Sequence, residues 1–293
     1  MRFTVFTPTY NRKYIIENLY HSLQRQSFKD FEWLVVDDGS ADGTEELFSE
    51  LCRECTEFPI RYIKTENGGK HRAINVGVKE AAGELFFIVD SDDYIVDDAL
   101  ETADKVEKSI LSEEKNKFAG VCGLKGYDTN TAIGKTFTGD ILDITTLERP
   151  AHGITGDKAE IFYTRVLKNY PFPEFDGENF ITECVVWDKI AFDGLKLRFY
   201  NKIAMICEYL PDGLTSKGND LFFRNPKGYS LYLYQSGKFG KIGGLGKWNQ
   251  YADYFYRLRK KYSYIEICRD LHVNPLSFAL RISGLRIIYR VYR

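Results

Sequence analysis

The chain has 293 residues, 44% of them hydrophobic, enough for one large α/β unit with an appended segment. Its 40 basic and 42 acidic residues nearly balance, so no global field draws nucleic acid or another polyanion, and any basic recognition is local. The six cysteines are scattered except for Cys52 and Cys55. That pair lacks the partners a zinc site needs, and its spacing reads as two core thiols on one helix face.

The chain opens on a strand-like run, Phe3 to Thr7, with no charged and apolar leader ahead of it. No stretch approaches the ~20 apolar residues of a membrane span, and a reducing cytoplasmic setting is the expectation. Further strands are predicted at Trp33 to Asp37, Ile60 to Lys64, Leu85 to Asp90 and Ala119 to Gly123. Between them, apolar residues three and four apart, such as Ile16, Leu19, Tyr20 and Leu23, mark helix faces that cover a sheet. The alternation is that of an α/β fold with a Rossmann-like, mostly parallel sheet flanked by helices.

Ligands of such a sheet sit beyond the carboxyl ends of its strands, and the polar motifs fall there. Pro8, Thr9, Tyr10 and Asn11 follow the first strand, Asp38, Gly39 and Ser40 the second, Asn67 to Arg72 the third, and Ser91, Asp92 and Asp93 the fourth. Asp90, Asp92 and Asp93 crowd one strand end, which is unfavourable unless a cation neutralises them; hard oxygen ligands suit Mg2+ or Mn2+. An acidic helix cap is the bland alternative, although Asp97 and Asp98 already supply that charge. Asp38 is placed to accept a hydrogen bond from a uracil imide or a ribose hydroxyl, or simply to shape a strand-to-helix turn with Gly39. Lys70, His71 and Arg72 behind two glycines resemble an anion site at a helix N-terminus, though not a Walker loop, or else an exposed turn.

The ordered set Thr7-Pro8-Thr9-Tyr10-Asn11, Val36-Asp37-Asp38-Gly39-Ser40, Asn67 to Gly77 and Asp90-Ser91-Asp92-Asp93 resembles glycosyltransferase family 2. The similarity is close over residues 1 to about 110 and weaker to about 195. It implies the A-type glycosyltransferase fold, inverting transfer, a nucleotide-sugar donor, and a divalent metal. By the same resemblance Asp38 contacts the base, Asp92 the ribose and also the metal, and Asp93 the metal. Pro8 and Tyr10 line the nucleotide pocket, with Lys70 and His71 beside the diphosphate.

An inverting transfer also needs a general base to deprotonate the acceptor hydroxyl. In this family an acidic pair typically opens a helix, with a tryptophan four residues after its second member. Thr182-Glu183-Cys184-Val185-Val186-Trp187 matches that spacing and puts Glu183 at the base position, with Thr182 where the first acid is usual and glutamate where aspartate is usual. Asp176 and Glu178 form a rival pair. His152 and Gly156-Asp157-Lys158 fall where acceptor loops are expected.

After Asn225 the composition turns aromatic and basic. Residues 1–220 are predicted as the glycosyltransferase unit, with a nucleotide-binding half to 125 and an acceptor-binding half from 126, and residues 221–293 as a helical extension. Arg286, Arg290 and Arg293, at helical spacing beside Phe278, Ile282, Leu285, Ile288 and Tyr289, suit contact with an anionic membrane surface, or packing on the protein. The expected activity is transfer of a hexose from a UDP-linked donor to a glycan or lipid-linked acceptor in surface polysaccharide synthesis, at the inner face of the membrane. A sugar nucleotidyltransferase would instead show a glycine- and arginine-rich loop after the first strand, which Thr7 to Arg12 lacks. An inactive sugar-nucleotide-binding protein is the non-enzymatic alternative.

Overall fold

The computed structural model describes residues 1–208, 210, 213 and 218–291, with side chains in the last helix described as far as Ser283. In chain order the elements are β1 (Phe3–Thr9), α1 (Glu17–Gln24), β2 (Phe31–Asp37), α2 (Thr44–Glu54), β3 (Ile60–Lys64), α3 (Lys70–Glu80), β4 (Leu85–Ile88), β5 (Asp93–Ile95) and α4 (Ala99–Lys108). There follow β6 (Phe118–Gly126), β7 (Ile141–Ile144), β8 (Lys158–Tyr163), α5 (Thr164–Leu167), α6 (Cys184–Phe192) and β9 (Lys196–Cys207). Five helices complete the described chain: α7 (Gly218–Arg224), α8 (Pro226–Lys238), α9 (Gly244–Leu258), α10 (Tyr264–Asp270) and α11 (Pro275–Val291).

One sheet runs in the order β3-β2-β1-β4-β8-β6-β9-β5, with β7 also paired to β9. The first four strands of that order are parallel, because α1, α2 and α3 carry the chain back across the sheet each time. Beyond β4 parallel and antiparallel pairs mix, and β6 and β9 still pair parallel. There β8 pairs antiparallel with both β4 and β6, and β9 pairs antiparallel with β5 and β7. Between β6 and β8 the described chain forms no α-helix to cross the sheet, so the strands reverse direction instead. The sheet is mixed.

β1 and β2 are buried along their whole length, as expected of central strands covered on both faces. Trp33, fully buried, donates its indole N–H to Thr7 Oγ1 at 3.0 Å, so its one polar group is satisfied. Pro8 sits inside β1 opposite Val36, an unusual place for a residue with no N–H to donate. It is tolerated because β4 pairs with β1 only as far as Phe6, so Pro8 faces the side where that neighbour has ended. Cys52 is exposed, which corrects its reading as a core thiol, whereas Cys55 is half-buried and packs against the core; α2 turns Phe48 fully inward.

Helices α7 to α11 build a second core around Leu233, Tyr251, Leu258, Leu271 and Phe278. It is fastened to the first through α6 and α8. Asp188 pairs with Lys241 at 2.7 Å, and Phe192 stacks on Phe239 at 4.3 Å. The Arg286, Arg290 and Arg293 pattern lies outside the described side chains. Among the described residues no helix is long and apolar enough to cross a membrane.

Candidate active site

The carboxyl ends of β1, β2 and β4 and the start of α3 form one rim. At the first two ends the turns are laced together. Asn11, in the left-handed region at φ 53°, takes the Ala41 N–H on its Oδ1 at 2.9 Å and gives its own N–H to Ser40 Oγ at 2.8 Å. Asp37 accepts from Ser40 N–H at 2.8 Å and from the Tyr62 hydroxyl. Tyr10 stands half exposed at this rim and Pro8 is buried behind it.

Asp38 is buried, and its two carboxylate oxygens accept the backbone N–H groups of Gly68 at 2.7 Å and Gly69 at 2.8 Å. Burial nevertheless holds its carboxyl above the ordinary range against the pull of those N–H groups. The sequence reading assigned the glycine N–H groups to an anion, and the structure corrects it: they hold Asp38. Gly69 is needed for a second reason. Its φ is 96°, and a Cβ there would stand 1.9 Å from the Asn179 carbonyl oxygen, so the glycine loop lies flat against the segment leading to Glu183.

The three basic residues after those glycines do not form a phosphate cradle. Arg72 donates to the carbonyls of Gly68, Glu178 and Phe175 at 2.6, 2.7 and 2.9 Å, stapling the two loops together. His71 is buried with neither ring nitrogen hydrogen-bonded; burial, with Arg72 nearby, pushes its pKa down to about 4. A neutral inward imidazole offers no charge to a diphosphate, which corrects the expectation for His71. Lys70 alone reaches the rim.

Lys70 Nζ lies 2.7 and 2.8 Å from the two oxygens of Asp90 and 2.8 Å from Glu183 Oε1. Burial disfavours the ammonium, but Asp90 and Glu183 outweigh it and raise its pKa. Glu183 immediately precedes α6, which Trp187 anchors by packing on Phe162 at 4.4 Å and on Phe172. Its side chain keeps 36% of its surface exposed, so a ligand can reach it.

The acidic turn is less bare than its sequence suggests. Asp90 has Lys70, and Lys125 at the end of β6 lies 3.7 Å from Asp93. Asp93 is buried and also accepts from Cys207 Sγ at 3.2 Å and the Glu208 N–H at 3.3 Å. Even so, burial lifts its pKa to about 6, Lys125 opposing and Asp90 adding to the rise. Asp92, half-buried, is raised by burial and by Asp90. Lys70, Lys125 and Arg12, the last acting on Asp92, face four carboxylates, Asp90, Asp92, Asp93 and Glu183, and a hard divalent cation fits the remaining negative charge. Among the described residues no three His, Cys, Asp or Glu side chains gather closely enough to hold a metal.

The rival base pair dissolves. Glu178 is buried and accepts the N–H groups of Lys227 and Gly228 at 2.7 and 2.9 Å, closing the start of α8, while Asp176 is exposed. Lys158 is buried among carbonyls, donating to Thr155 at 2.5 Å and Ile133 at 3.1 Å. His152 is exposed at the end of a short 3-10 helix, Thr146–His152.

Residues 4–105 match the family model described as Glycosyl transferase family 2. That stretch is about a third of the chain, and over it the chain resembles this family. A curated relative, the poly(ribitol-phosphate) beta-N-acetylglucosaminyltransferase TarS of Staphylococcus aureus, is 40% identical over 105 residues, which is 35% of this chain and 18% of TarS. The GalNAc(5)-diNAcBac-PP-undecaprenol beta-1,3-glucosyltransferase of Campylobacter jejuni is 27% identical over 192 residues, 64% of this chain and 58% of that one. The chain thus spans about a fifth to somewhat over half the length of these relatives. The crystal structure of S. aureus TarS 1-349 in complex with UDP-GlcNAc superposes with a TM-score of 0.60 at 22% identity, covering 89% of this chain and 73% of that one. The fold is the A-type glycosyltransferase fold.

Sequence reasoning missed Lys125 and the role of Asp90 at this site. Lys125 carries no motif; its only signal is a cation closing an otherwise apolar strand. Asp90 was read as a third acid of the turn, whereas it is the partner of Lys70, a pairing that the chain order hides.

Proposed function

We propose that the chain is an inverting glycosyltransferase that moves a sugar from a nucleoside diphosphate donor, UDP-linked, to a hydroxyl of a glycan or lipid-linked acceptor. The observation that carries this reading is the contact of Glu183 with Lys70 and, through it, Asp90, which sets a reachable carboxylate beside the nucleotide rim. The names of the relatives, an N-acetylglucosaminyltransferase and a glucosyltransferase, support a hexosyl donor, and a role in surface polysaccharide synthesis is part of the same proposal. The chain then works in the cytoplasm at the inner membrane face, with residues 1–220 as the transferase unit and 221–293 as an extension.

In this reading Asp38 fixes the glycine loop and meets the base with its remaining lone pairs, Pro8 and Tyr10 flank the nucleotide, and Asp92 binds the ribose. Mn2+ or Mg2+, bound by Asp92 and Asp93 together with the donor's diphosphate, would offset charge on the leaving group. Glu183 takes the proton of the acceptor hydroxyl as its oxygen attacks the anomeric carbon, and attack from the face opposite the diphosphate inverts that centre. Lys70 keeps Glu183 and Asp90 from repelling each other and reaches the diphosphate only by releasing one of them.

The test is a binding and hydrolysis screen of the purified protein against UDP-, GDP- and dTDP-sugars with Mn2+, with calorimetry of UDP in Mn2+ and in chelator. Tighter UDP binding with Mn2+, weakened most by Asp93→Ala, is expected. Equal affinity in both conditions would remove the cation from the account.

A further inference from the structure

Between α7, α8 and α9 lies an open groove of about 440 Å³, lined by Phe222, Tyr229, Tyr232, Asn249, Gln250 and Asp253 among others. The volume is that of a small-ligand site. Tyr229 and Tyr232 are nearly parallel, 15° apart with centroids at 6.4 Å, and Phe222 packs on both at 5.0 and 6.1 Å. All three rings remain partly exposed, so they form an aromatic wall rather than a closed core. Among the described residues no hydrogen bond engages the Asn249 or Gln250 amide or the Tyr229 or Tyr232 hydroxyl. Asp253 pairs with Arg257 at 3.1 Å, both side chains exposed.

This combination has a specific chemistry. Pyranose rings carry apolar C–H faces that lie on aromatic rings, and rims of hydroxyls that both donate and accept, which amides and carboxylates can satisfy together. The lining includes a carboxylate and no lysine or arginine; the nearby cations are already engaged, Arg257 with Asp253 and Lys241 with Asp188.

The groove is continuous with the segment that leads to Glu183. Phe222 meets Phe180 edge to face at 5.4 Å, and the N–H groups of Asn179 and Phe180 donate to Asn225 Oδ1 at 2.9 and 3.1 Å, where α7 gives way to α8. Asn179 is the same residue whose carbonyl backs on Gly69.

We propose that this groove binds the acceptor glycan, holding sugar units beyond the one that receives the transfer. The proposal rests on the glycosyltransferase reading above. Bound there, a chain would lie along the surface that leads to Glu183, and the enzyme would favour longer acceptors over single sugars.

The full chain, without donor, is titrated with cellotetraose, maltotetraose and the tetramer of N-acetylglucosamine, and binding is followed by saturation-transfer NMR. At least one tetramer is expected to bind with a Kd on the order of 1 mM, with the strongest saturation on its ring C–H protons. Tyr232→Ala and the exposed pair Asn249→Ala with Asp253→Ala should each weaken that binding at least tenfold and leave UDP affinity in Mn2+ unchanged. If Tyr232→Ala does not fold, the exposed pair decides. Binding of none of the tetramers, or equal binding by wild type and variants, overturns the proposal. Absence of UDP binding by the wild-type protein would instead strike the functional reading, because the groove is assayed without donor.

Discussion

Lys70 and Glu183 meet at 2.8 Å, and this contact joins the helix that opens the nucleotide site to the helix that carries the candidate base. The same ammonium holds Asp90, so one cation separates two carboxylates. Lys70→Met should lower stability at pH 7 by about 1–3 kcal/mol, less than a fully buried pair would lose because the site is partly open to water. Adding Glu183→Gln should recover about 1 kcal/mol through the coupling of the two groups. Urea denaturation of the wild type, both single variants and the double variant measures this, and strictly additive losses would show that the pair contributes nothing.

His71 gives a pH dependence with a definite sign. Its pKa is about 4 in the folded protein against an ordinary 6.5, so between those values the unfolded chain binds a proton that the folded chain refuses. The His71 contribution is therefore fully present above pH 6.5 and is lost as pH falls toward 4, up to about 3 kcal/mol in all. In His71→Phe the fall in stability between pH 7 and 4.5 should be shallower than in wild type. Identical slopes would mean that the imidazole is protonated in the fold.

Glu178 caps α8 through two backbone N–H groups. Glu178→Ala should cost about 0.5–2 kcal/mol of stability and loosen α8 to α11, seen as faster amide exchange in those helices. Sugar transfer per folded molecule should stay near the wild-type value. A loss of turnover by a hundredfold with normal stability would return Glu178 to the list of bases.

The first 125 residues were legible in the sequence because their elements are local. β3 falls on Ile60–Lys64 as read, β1, β2 and β6 run a few residues longer, and β4 is two residues shorter. The order of rim motifs follows from parallel strands whose carboxyl ends share one edge. What stayed hidden depends on contacts between distant segments. Nothing near Asp93 announces Lys125, and nothing near Gly68 and Gly69 announces that Asp38 takes their N–H groups. The charge of Lys70, His71 and Arg72 read as one basic cluster, yet the three side chains diverge from the start of α3 to a carboxylate pair, the interior and a neighbouring loop. Beyond Gly126 the antiparallel pairing depends on which strands meet, and local pattern does not encode that choice.

The central claim is that Glu183 accepts the proton of the attacking hydroxyl, and Glu183→Gln tests it directly. The amide keeps the side chain's size and one oxygen to face Lys70, while Asp38, Asp92 and Asp93 are untouched. Donor affinity and transfer rate are measured on the same preparation, by calorimetry with UDP and Mn2+ and by product formation from the donor identified in the screen. The account predicts donor affinity within a few-fold of wild type and transfer reduced by roughly 10²- to 10⁴-fold. Transfer at the wild-type rate in Glu183→Gln would contradict it.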